Sequence, residues 1–470
     1  MPNTKIVVTL GPATDRQGVL RDVMEAGADV FRLNMSHGVR EEHAARIAAV
    51  RGQPAAGGCF HAILLDLQGP KIRLGWFEGG GCVLTAGSEF VLTAEDVAGT
   101  CARARTGFAD LPRHVRPGDR ILLADGAVEL EVLDTDAVAV RTRVLAGGPV
   151  ASNRGINLPG ASLGIPSLGE KDLADLEFGL RQGVDVVALS FVRCAADIRG
   201  LRERIGPGGP VVVAKIEKPQ AVENMEEILD ASDGVMVARG DLGVELALEK
   251  VPAIQKSIIR SARRKGKFVI TATQMLESMV ERPVPTRAEV SDVANAIYDG
   301  TDAVMLSAET SIGKHPVEAV RLMDRIATEA DSAVRAMGYQ SLPPAPERTI
   351  AGTVADAAYR AAHDAGVSAV VVFTASGSSA RLVSRYRPPV AIYAVTPSEA
   401  VARQLSVNYG VTPVLAPEVA STDEMLAQMD ALMLAQGYLR PGDLVAFVAG
   451  QPVGRAGATN LLKLHRIGDA

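Results

Sequence analysis

Short apolar runs rich in β-branched residues recur along the first two thirds of the chain, and helical sequence separates most of them. Eight of these runs read KIVVTL, DVFRLNM, HAILLDL, DVVALSF, VVVAKIE, GVMVAR, KFVITAT and DAVMLSA. Such runs are typical of buried strands. Their number predicts an α/β fold of the (β/α)8 TIM barrel type, with functional residues at the carboxyl ends of the strands. An open doubly wound sheet is the alternative, but its site would draw on fewer strands.

The third and fourth runs are separated by roughly a hundred residues, far more than a βα connection needs. This insertion, about Lys71 to Ile165, is rich in Val, Thr and Gly and carries the turn signals RPGD and ADG. It predicts a small all-β domain, a β-barrel lid rising from the catalytic rim. The return segment Asn153 to Pro166 has glycine and proline at its turns and is a candidate hinge.

A second α/β pattern begins after the barrel. The stretch HPVEAVRLMDRIATEA predicts a closing helix, and the Pro-rich stretch SLPPAPE follows it. We therefore predict a discontinuous barrel of residues 1–70 and 166–340, a lid of residues 71–165 and a linker of residues 341–347. Residues 348–470 then form a C-terminal α/β domain for regulation or assembly.

Composition limits the class of protein. A chain of 470 residues is too long for a single hydrophobic core, so more than one domain is expected. A content of 47% hydrophobic and 22% charged residues is typical of a soluble globular protein. The net charge of -6 argues against a nucleic-acid binder. The four cysteines are scattered, so neither a zinc site nor a disulfide framework is indicated and a reducing cytoplasm fits. No apolar run approaches the ~18 residues of a membrane span.

The densest chemistry lies in one βαβ unit, VVVAKIEKPQAVENMEEILDASDGVMVARGDLG. Alternation along a strand puts Lys215 and Glu217 on one face, and Asp241 closes the next strand. Neighbouring strands lie about 4.8 Å apart, so Glu217 and Asp241 could share a Mg²⁺ ion, with Lys215 facing the anion that the metal holds. An ordinary ion pair between Lys215 and Glu217 is the alternative. The glycines flanking Asp241, which permit close approach of a ligand, favour the metal site.

At these residues the chain resembles the pyruvate kinase family. The shared strings are AKIE, ASDGVMVARGDLG, ATQMLESM, RLNMSHG and RAEVSDVANAIYDG. The resemblance implies transfer of a phosphoryl group between phosphoenolpyruvate and ADP, giving pyruvate and ATP in the last step of glycolysis. It also implies Mg²⁺, for which Mn²⁺ can substitute, and a homotetramer.

The resemblance and the residue types together assign roles. The catalytic residues are Lys215, which stabilises the transferring phosphoryl group, Arg32, whose planar fork suits phosphate, and Thr273, which orients a water or proton relay. Thr273 could instead cap the following helix. Substrate binding is expected at Arg32, Lys215, Gly240, Asp241 and Thr273, and nucleotide binding at Arg73, Asn34, His37 and Arg154.

Many family members also need K⁺, held at positions matching Asn34, Ser36 and Asp66. Here the local string is DLQGPKIRL, where potassium-requiring members resemble DTKGPEIRT. Lys71 replaces a glutamate, and Leu67 replaces a threonine ligand. We therefore expect that the Lys71 ammonium replaces K⁺ and that K⁺ is not required. A second departure from the family pattern lies in SAETSIGKHP, where Ala308 and Ile312 replace a glycine and a lysine of many relatives. Any nucleotide contact that this lysine makes in the relatives is therefore in doubt.

The loop TASGSSAR leads from a strand into a helix in the C-terminal domain. Its candidate effector residues are Thr374, Ser376, Gly377, Ser378 and Ser379. The loop could bind the phosphate of a sugar phosphate or nucleoside monophosphate. An ordinary helix start capped by Ser376 or Ser378 is the alternative.

Two rival functions stay open at this point. A Lys, Glu and Asp cluster around Mg²⁺ would also serve a metal-dependent lyase or mutase acting on phosphoenolpyruvate or 2-oxo acids. A catalytically silent sugar-phosphate sensor could keep the same fold. The inserted lid and the Arg32 and Arg73 pair favour the kinase over the lyase, and the intact set of Lys215, Glu217, Asp241 and Thr273 weighs against the sensor.

Overall fold

The structure, a computed structural model, describes residues 2–53, 60–159, 164–337, 349–452 and 457–469. The predicted linker 341–347 lies outside these residues, as do residues 160–163 of the candidate hinge. Within the described residues, no helix is both long enough and apolar enough to cross a bilayer.

Eight parallel strands form a closed barrel in which each strand pairs with its neighbours in chain order and the eighth pairs with the first. The strands are Lys5–Thr9, Val30–Asn34, Ala62–Asp66, Val186–Leu189, Val211–Ile216, Gly234–Ala238, Phe268–Ala272 and Ala303–Leu306. All eight predicted strands are confirmed, and the open sheet is wrong. The runs are continuous in hydrophobic residues because each strand is buried on both faces, against the barrel interior and against the outer helices.

Amphipathic helices cover the outside of the barrel. They are Val19–Glu25, Arg40–Arg51, Glu170–Arg181, Ala195–Ile205, Pro219–Glu223, Met225–Ala231, Val251–Arg264, Arg287–Asp299 and Pro316–Met337. The sequence pattern predicts one helix behind Pro219, but Asn224 breaks it into two. Two further short helices, Arg239–Glu245 and Ala308–Ser311, follow strand ends at the rim.

The insertion is almost entirely β structure. A seven-stranded sheet contains Ile72–Arg73, Gly155–Asn157, Arg120–Leu123, Val128–Thr135, Ala139–Ala146, Glu89–Thr93 and Arg103–Arg105 in spatial order. Its two edge strands meet, since Gly75 N donates to Arg105 O and Gly107 N to Arg73 O, both at 2.8 Å. The sheet thus curls into a small barrel. Gly81–Leu84 and Gly148–Ala151 form a separate pair, and Leu111–His114 is a short helix.

The C-terminal domain contains a five-stranded sheet with helices against it. The strand order is Val411–Leu415, Ala391–Thr396, Ala369–Phe373, Leu444–Gly450 and Thr459–Arg466, with only the last antiparallel. The helices are Ile350–Asp364, Ser378–Ser384, Glu399–Leu405 and Thr422–Ala435. The sequence analysis missed the two edge strands and the helix Thr422–Ala435.

The C-terminal domain packs on the amino-terminal end of the barrel, opposite the lid. Val407 joins the apolar cluster that fills the barrel interior. Arg403 pairs with Asp185 at 2.8 Å, and Gly410 N donates to Asn3 O at 2.8 Å. The carboxyl ends of the strands are therefore on the side of the barrel that faces the lid.

Candidate active site

A cleft of about 730 Å³ lies between the carboxyl ends of the barrel strands and the lid. Ten of the residues predicted from the sequence line it: Arg32, Asn34, Ser36, His37, Lys71, Arg73, Arg154, Lys215, Glu217 and Asp241. Asp66, Gly240 and Thr273 lie outside this lining. The barrel and lid together thus gather residues that are far apart in the chain.

Lys215 lies near the end of the fifth strand with its side chain only 11% exposed. Its ammonium is 3.2 Å from Asp66 Oδ1 and 3.0 Å from Glu217 Oε1, and it donates to Ser190 Oγ at 2.8 Å. Burial alone lowers the pKa of Lys215, but Asp66 and Glu217 outweigh burial and raise the pKa above its usual range. Lys215 is therefore a fixed positive charge and not a proton donor.

Asp66 connects Lys215 to Arg32. Arg32 Nε donates to Asp66 Oδ2 at 2.7 Å, and Arg32 Nη1 donates to Thr9 Oγ1 at 3.0 Å. Burial works to raise the pKa of Asp66, but Lys215 and Arg32 bring it below its usual value. The carboxylate therefore stays ionised and fixes both cations, leaving part of the Arg32 fork to face the cleft.

Glu217 and Asp241 are the two carboxylates that the barrel side of the chain contributes to the cleft lining. Glu217 Oε2 accepts from Phe191 N at 2.8 Å, whereas among the described residues Glu217 Oε1 meets only the Lys215 ammonium and no hydrogen-bond donor of good geometry. Burial raises the pKa of Glu217, and Asp241 raises it further. Two acids that line one cleft and repel each other electrostatically suit a shared cation.

Asp241 lies in a different element from the one predicted. The sixth strand ends at Ala238, and Asp241 occupies the first turn of the helix Arg239–Glu245. An acidic residue is favourable at this end of a helix because the free backbone N–H groups carry partial positive charge. The prediction that Asp241 closes the strand is wrong, although the residue still reaches the cleft.

Thr273 follows the seventh strand in a left-handed conformation, with φ of 70°. Its hydroxyl accepts from Gly240 N at 2.8 Å and donates to Ala272 O at 2.6 Å. Thr273 therefore binds the start of the neighbouring helix Arg239–Glu245, and the alternative that it caps the following helix is wrong. A β-branched residue with positive φ is strained, a feature that clusters at functional sites.

The residues predicted for the nucleotide lie on the lid side of the cleft and along the second strand. Arg73 donates to Asn153 O at 3.0 Å, next to Arg154. Burial, then the guanidiniums of Arg73 and Arg32, lower the pKa of His37, which leaves its ring neutral near pH 7. The lid wall is thus positively charged.

Lys71 lies where the chain enters the lid. Its ammonium is 3.2 Å from Asp125 Oδ1 and 3.5 Å from Asp241 Oδ1. Burial works to lower the pKa of Lys71, but Asp241 and Asp125 raise it overall. Among the residues matching the monovalent site, Asn34 Oδ1 accepts from Ser36 N at 3.1 Å and Asp66 pairs with Arg32 and Lys215. The recorded partners of Lys71 are thus Asp125 and the candidate metal ligand Asp241.

The candidate effector loop borders a small cavity of about 70 Å³ lined by Thr374, Ser376, Ser378 and Ser379. Gly377 is the N-cap of the helix Ser378–Ser384, with φ of 80° and no side-chain cap. The alternative in which Ser376 or Ser378 caps this helix is therefore wrong. Ser376 Oγ instead donates to Ser378 Oγ at 3.2 Å.

Sequence reasoning missed two residues of the site. Ser190 follows the fourth strand and contacts Lys215 Nζ, and it could have been found by the strand-end rule that found the others. Asp125 lies in a lid turn with φ of 56° and reaches Lys71. Only the docking of the lid brings it to the cleft, so no local signal marks it. Glu309, which follows the eighth strand, is fully buried and accepts from the backbone N–H groups of Leu276 and Ser307, so it has a structural role.

Comparison with known proteins agrees with this geometry. The model of the family described as pyruvate kinase, barrel domain, matches residues 1–320, and the model described as pyruvate kinase, alpha/beta domain, matches residues 352–465. The chain is 46% identical to a pyruvate kinase of Geobacillus stearothermophilus, covering 99% of this chain and 80% of that protein. It is also 46% identical to a pyruvate kinase of Mycobacterium tuberculosis, covering 99% and 98%. A crystal structure of a pyruvate kinase from Cryptosporidium parvum superposes with a TM-score of 0.90 at 34% identity, covering 99% of this chain and 96% of that one.

Proposed function

Because this chain belongs to the pyruvate kinase family of phosphotransferases, we propose that it moves the phosphoryl group of phosphoenolpyruvate to ADP with Mg²⁺ and without a requirement for K⁺. The observation that carries the proposal is the buried network in which Asp66 joins Arg32 to Lys215, which also contacts Glu217. Of these residues, Arg32, Lys215 and Glu217 line one cleft large enough for a phosphorylated substrate and a nucleotide.

A protein catalyses phosphoryl transfer by positioning the reactants and by placing positive charge around the transferred group, because negative charge spreads over the equatorial oxygens of that group. Lys215 supplies a fixed ammonium at the end of one strand, and Arg32 supplies a guanidinium from another. Asp66 holds both cations, so they do not need to reorganise during the reaction. Arg73 and Arg154, on the lid side, are suited to the phosphates of ADP.

Glu217 and Asp241 are the residues that would hold Mg²⁺. Their fit is supported by the Glu217 oxygen that lacks a good donor and by the raised pKa of Glu217, to which Asp241 contributes. Two protein carboxylates are enough for Mg²⁺, which completes its coordination with water and phosphate oxygens. When bound, the ion would offset negative charge on the transferred group. Mn²⁺ is expected to substitute.

Loss of the phosphoryl group leaves the enolate of pyruvate, which must gain a proton on carbon. Thr273 is our candidate for orienting the water or relay that delivers it. An unperturbed hydroxyl is too weak an acid to be the donor itself. The strained backbone of Thr273 and its contact with Gly240 N support a positioning role.

The test is pyruvate formation from phosphoenolpyruvate, coupled to lactate dehydrogenase and titrated with Mg²⁺. We expect activity only when both ADP and a divalent cation are present. Pyruvate release at the same rate without ADP would instead identify a metal-dependent lyase or phosphatase. If a Lys215→Met variant were as active as the parent, the result would favour the alternative of a catalytically silent sugar-phosphate sensor.

Independence from K⁺ is a separate part of the proposal. It is supported by Lys71, which Asp241 and Asp125 keep positively charged at the cleft, and by the buried Leu67, whose side chain offers no oxygen ligand. In tetramethylammonium buffer, KCl at constant ionic strength should change the parent's activity less than twofold. A Lys71→Gln variant should lose activity and regain part of it with KCl. Many-fold activation of the parent by KCl would refute this part.

Regulation at the loop 374–379 also stays a proposal. Its support is the small cavity and the several hydroxyl groups that line part of it. A sugar phosphate or nucleoside monophosphate should shift phosphoenolpyruvate saturation. A hyperbolic curve unchanged by either class would argue against it.

A further inference from the structure

A buried carboxylate, Glu245, lies where three segments of the chain meet. Its side chain is 1% exposed. Glu245 Oε1 lies 2.6 Å from Lys218 Nζ and accepts from Asn157 Nδ2 at 3.2 Å. None of these three residues lines the cleft between the barrel and the lid.

Two of the three segments carry the candidate metal ligands. Lys218 directly follows Glu217 at the end of the fifth strand. Glu245 is the last residue of the helix Arg239–Glu245, whose first turn carries Asp241. The ion pair therefore ties the backbone next to one metal carboxylate to the helix that holds the other.

The third segment belongs to the lid. Asn157 ends the last lid strand, Gly155–Asn157, and is 4% exposed. The lid turn also packs close to the same helix, because a Cβ on Gly126 would meet the Val244 side chain at 3.8 Å. The carboxylate thus joins the lid to both metal-bearing segments.

The buried contacts of Glu245 with Lys218 and Asn157 are not the ones that would stabilise the fold most. Glu245 Oε2 and Asn157 Oδ1 are both buried and have no hydrogen-bond partner in the part of the chain that the structure describes. A buried ion pair with unsatisfied polar atoms generally stabilises a fold less than apolar residues of similar volume. The energetic cost of burying these unsatisfied polar atoms suggests that the contact serves to position the segments it joins.

We propose that Glu245 is a positioning residue for the divalent cation: through Lys218 and its own helix it holds Glu217 and Asp241 at the separation that one ion requires. The inference rests on the metal site of the proposed function. Glu245 itself touches neither the ion nor the substrate. It acts as residues around metal ligands commonly do, whose loss reduces metal affinity roughly 10- to 100-fold.

The test separates positioning from simple stabilisation. Glu245→Gln leaves the Lys218 ammonium buried without its partner, so both the melting temperature and cation affinity should fall. Adding Lys218→Met removes the stranded charge, so the double variant Lys218→Met/Glu245→Gln should recover much of the melting temperature. Its affinity for Mn²⁺, measured by electron paramagnetic resonance titration without substrates, should stay roughly 10- to 100-fold weaker than the parent's.

The matched control is Glu249→Gln, the same substitution at an exposed position four residues further along. It should change neither quantity. The inference is overturned if the double variant binds Mn²⁺ as tightly as the parent, because Glu245 would then serve only stability. If the parent itself binds no Mn²⁺, the proposed metal site fails and this inference fails with it.

Discussion

Charge pairing at the scale of single residues determines what the cleft can do. The buried cations Lys215 and Arg32 share the carboxylate of Asp66, and Lys215 also contacts Glu217. Shared pairing keeps a buried charge ionised where burial alone would neutralise it. The result is a set of fixed charges suited to stabilising a transition state and unsuited to proton transfer.

The Lys215→Met variant tests this role. We expect turnover to fall about 10³-fold or more, since a fixed charge at the reacting group is lost, while phosphoenolpyruvate still binds. The coupled assay measures turnover, and the rise in melting temperature with added phosphoenolpyruvate measures binding. Lys256→Met, at an exposed lysine, is the control. Loss of binding with unchanged turnover at saturation would contradict the assignment.

A pH effect on stability is expected from His43, which is 2% exposed and whose Nε2 lies 2.9 Å from His37 O. Burial lowers its pKa below the usual 6.5. Below that pH the unfolded chain takes up a proton that the folded protein does not, so stability is lost on acidification, by at most about 1.4 kcal/mol per pH unit.

His43→Gln should remove this contribution. Between pH about 7.5 and about 5.5 the variant's melting temperature should fall less than the parent's. His363→Gln, at an exposed histidine, should follow the parent. An identical pH dependence in the parent and His43→Gln would show that His43 does not contribute.

At the scale of elements, helix ends and strand ends position the site. The helix Arg239–Glu245 presents Asp241 from its first turn, and Thr273 from the next strand binds its start through Gly240 N. Elsewhere the helix Arg287–Asp299 begins with a capping box, in which Thr286 Oγ1 accepts from Glu289 N and Glu289 Oε2 accepts from Thr286 N. These local bonds fix where each element begins.

The capping box gives an element-scale prediction. Thr286→Ala should destabilise the protein by about 1 kcal/mol, because the N–H of Glu289 loses its partner at an exposed helix end. Thr286→Ser keeps the acceptor and should lie close to the parent. Thermal denaturation measures both variants. Equal losses for Ala and Ser would mean that the methyl group, and not the hydroxyl, matters.

The whole molecule places a lid at one end of the barrel and the C-terminal domain at the other. Arg387 secures the second junction: it pairs with Asp302 at 3.1 Å, donates to Gly300 O at 2.8 Å and stacks over the Tyr409 ring at 3.7 Å. Both charged side chains are less than a tenth exposed. This contact crosses from the C-terminal domain to the barrel.

Arg387→Met should loosen this junction. Removing one partner of a buried pair commonly costs about 3 to 5 kcal/mol, since the other charge is left uncompensated. Calorimetry should show a lower melting temperature, with the C-terminal domain unfolding separately. Arg181→Met, which removes an exposed pair with Glu177, should change stability by less than about 1 kcal/mol. Equal melting temperatures and equal unfolding profiles of the two variants would exclude a role for Arg387 in docking.

The homotetramer that the family resemblance implies stays a prediction.

The barrel and much of the site can be predicted from the pattern of apolar and polar residues. Continuous apolar strands recur with helical periodicity between them, and this local pattern is enough because both faces of each strand are buried. Polar residues in the last positions of those strands, such as Arg32, Asp66 and Lys215, could be predicted because strand ends converge at one edge. In the C-terminal domain, the two edge strands escaped: Val411–Leu415 contains Pro413, and Thr459–Arg466 is largely polar.

Which side chains contact one another depends on how the domains fold and pack together. Lys71 meets Asp125 and Asp241, and Glu245 joins Lys218 to Asn157, because the lid folds back over the rim. Contacts of this kind join segments far apart in the chain and depend on side-chain direction and domain docking. Neither leaves a periodic signal in the sequence, whereas the burial of a strand or a helix face repeats every two or every 3.6 residues.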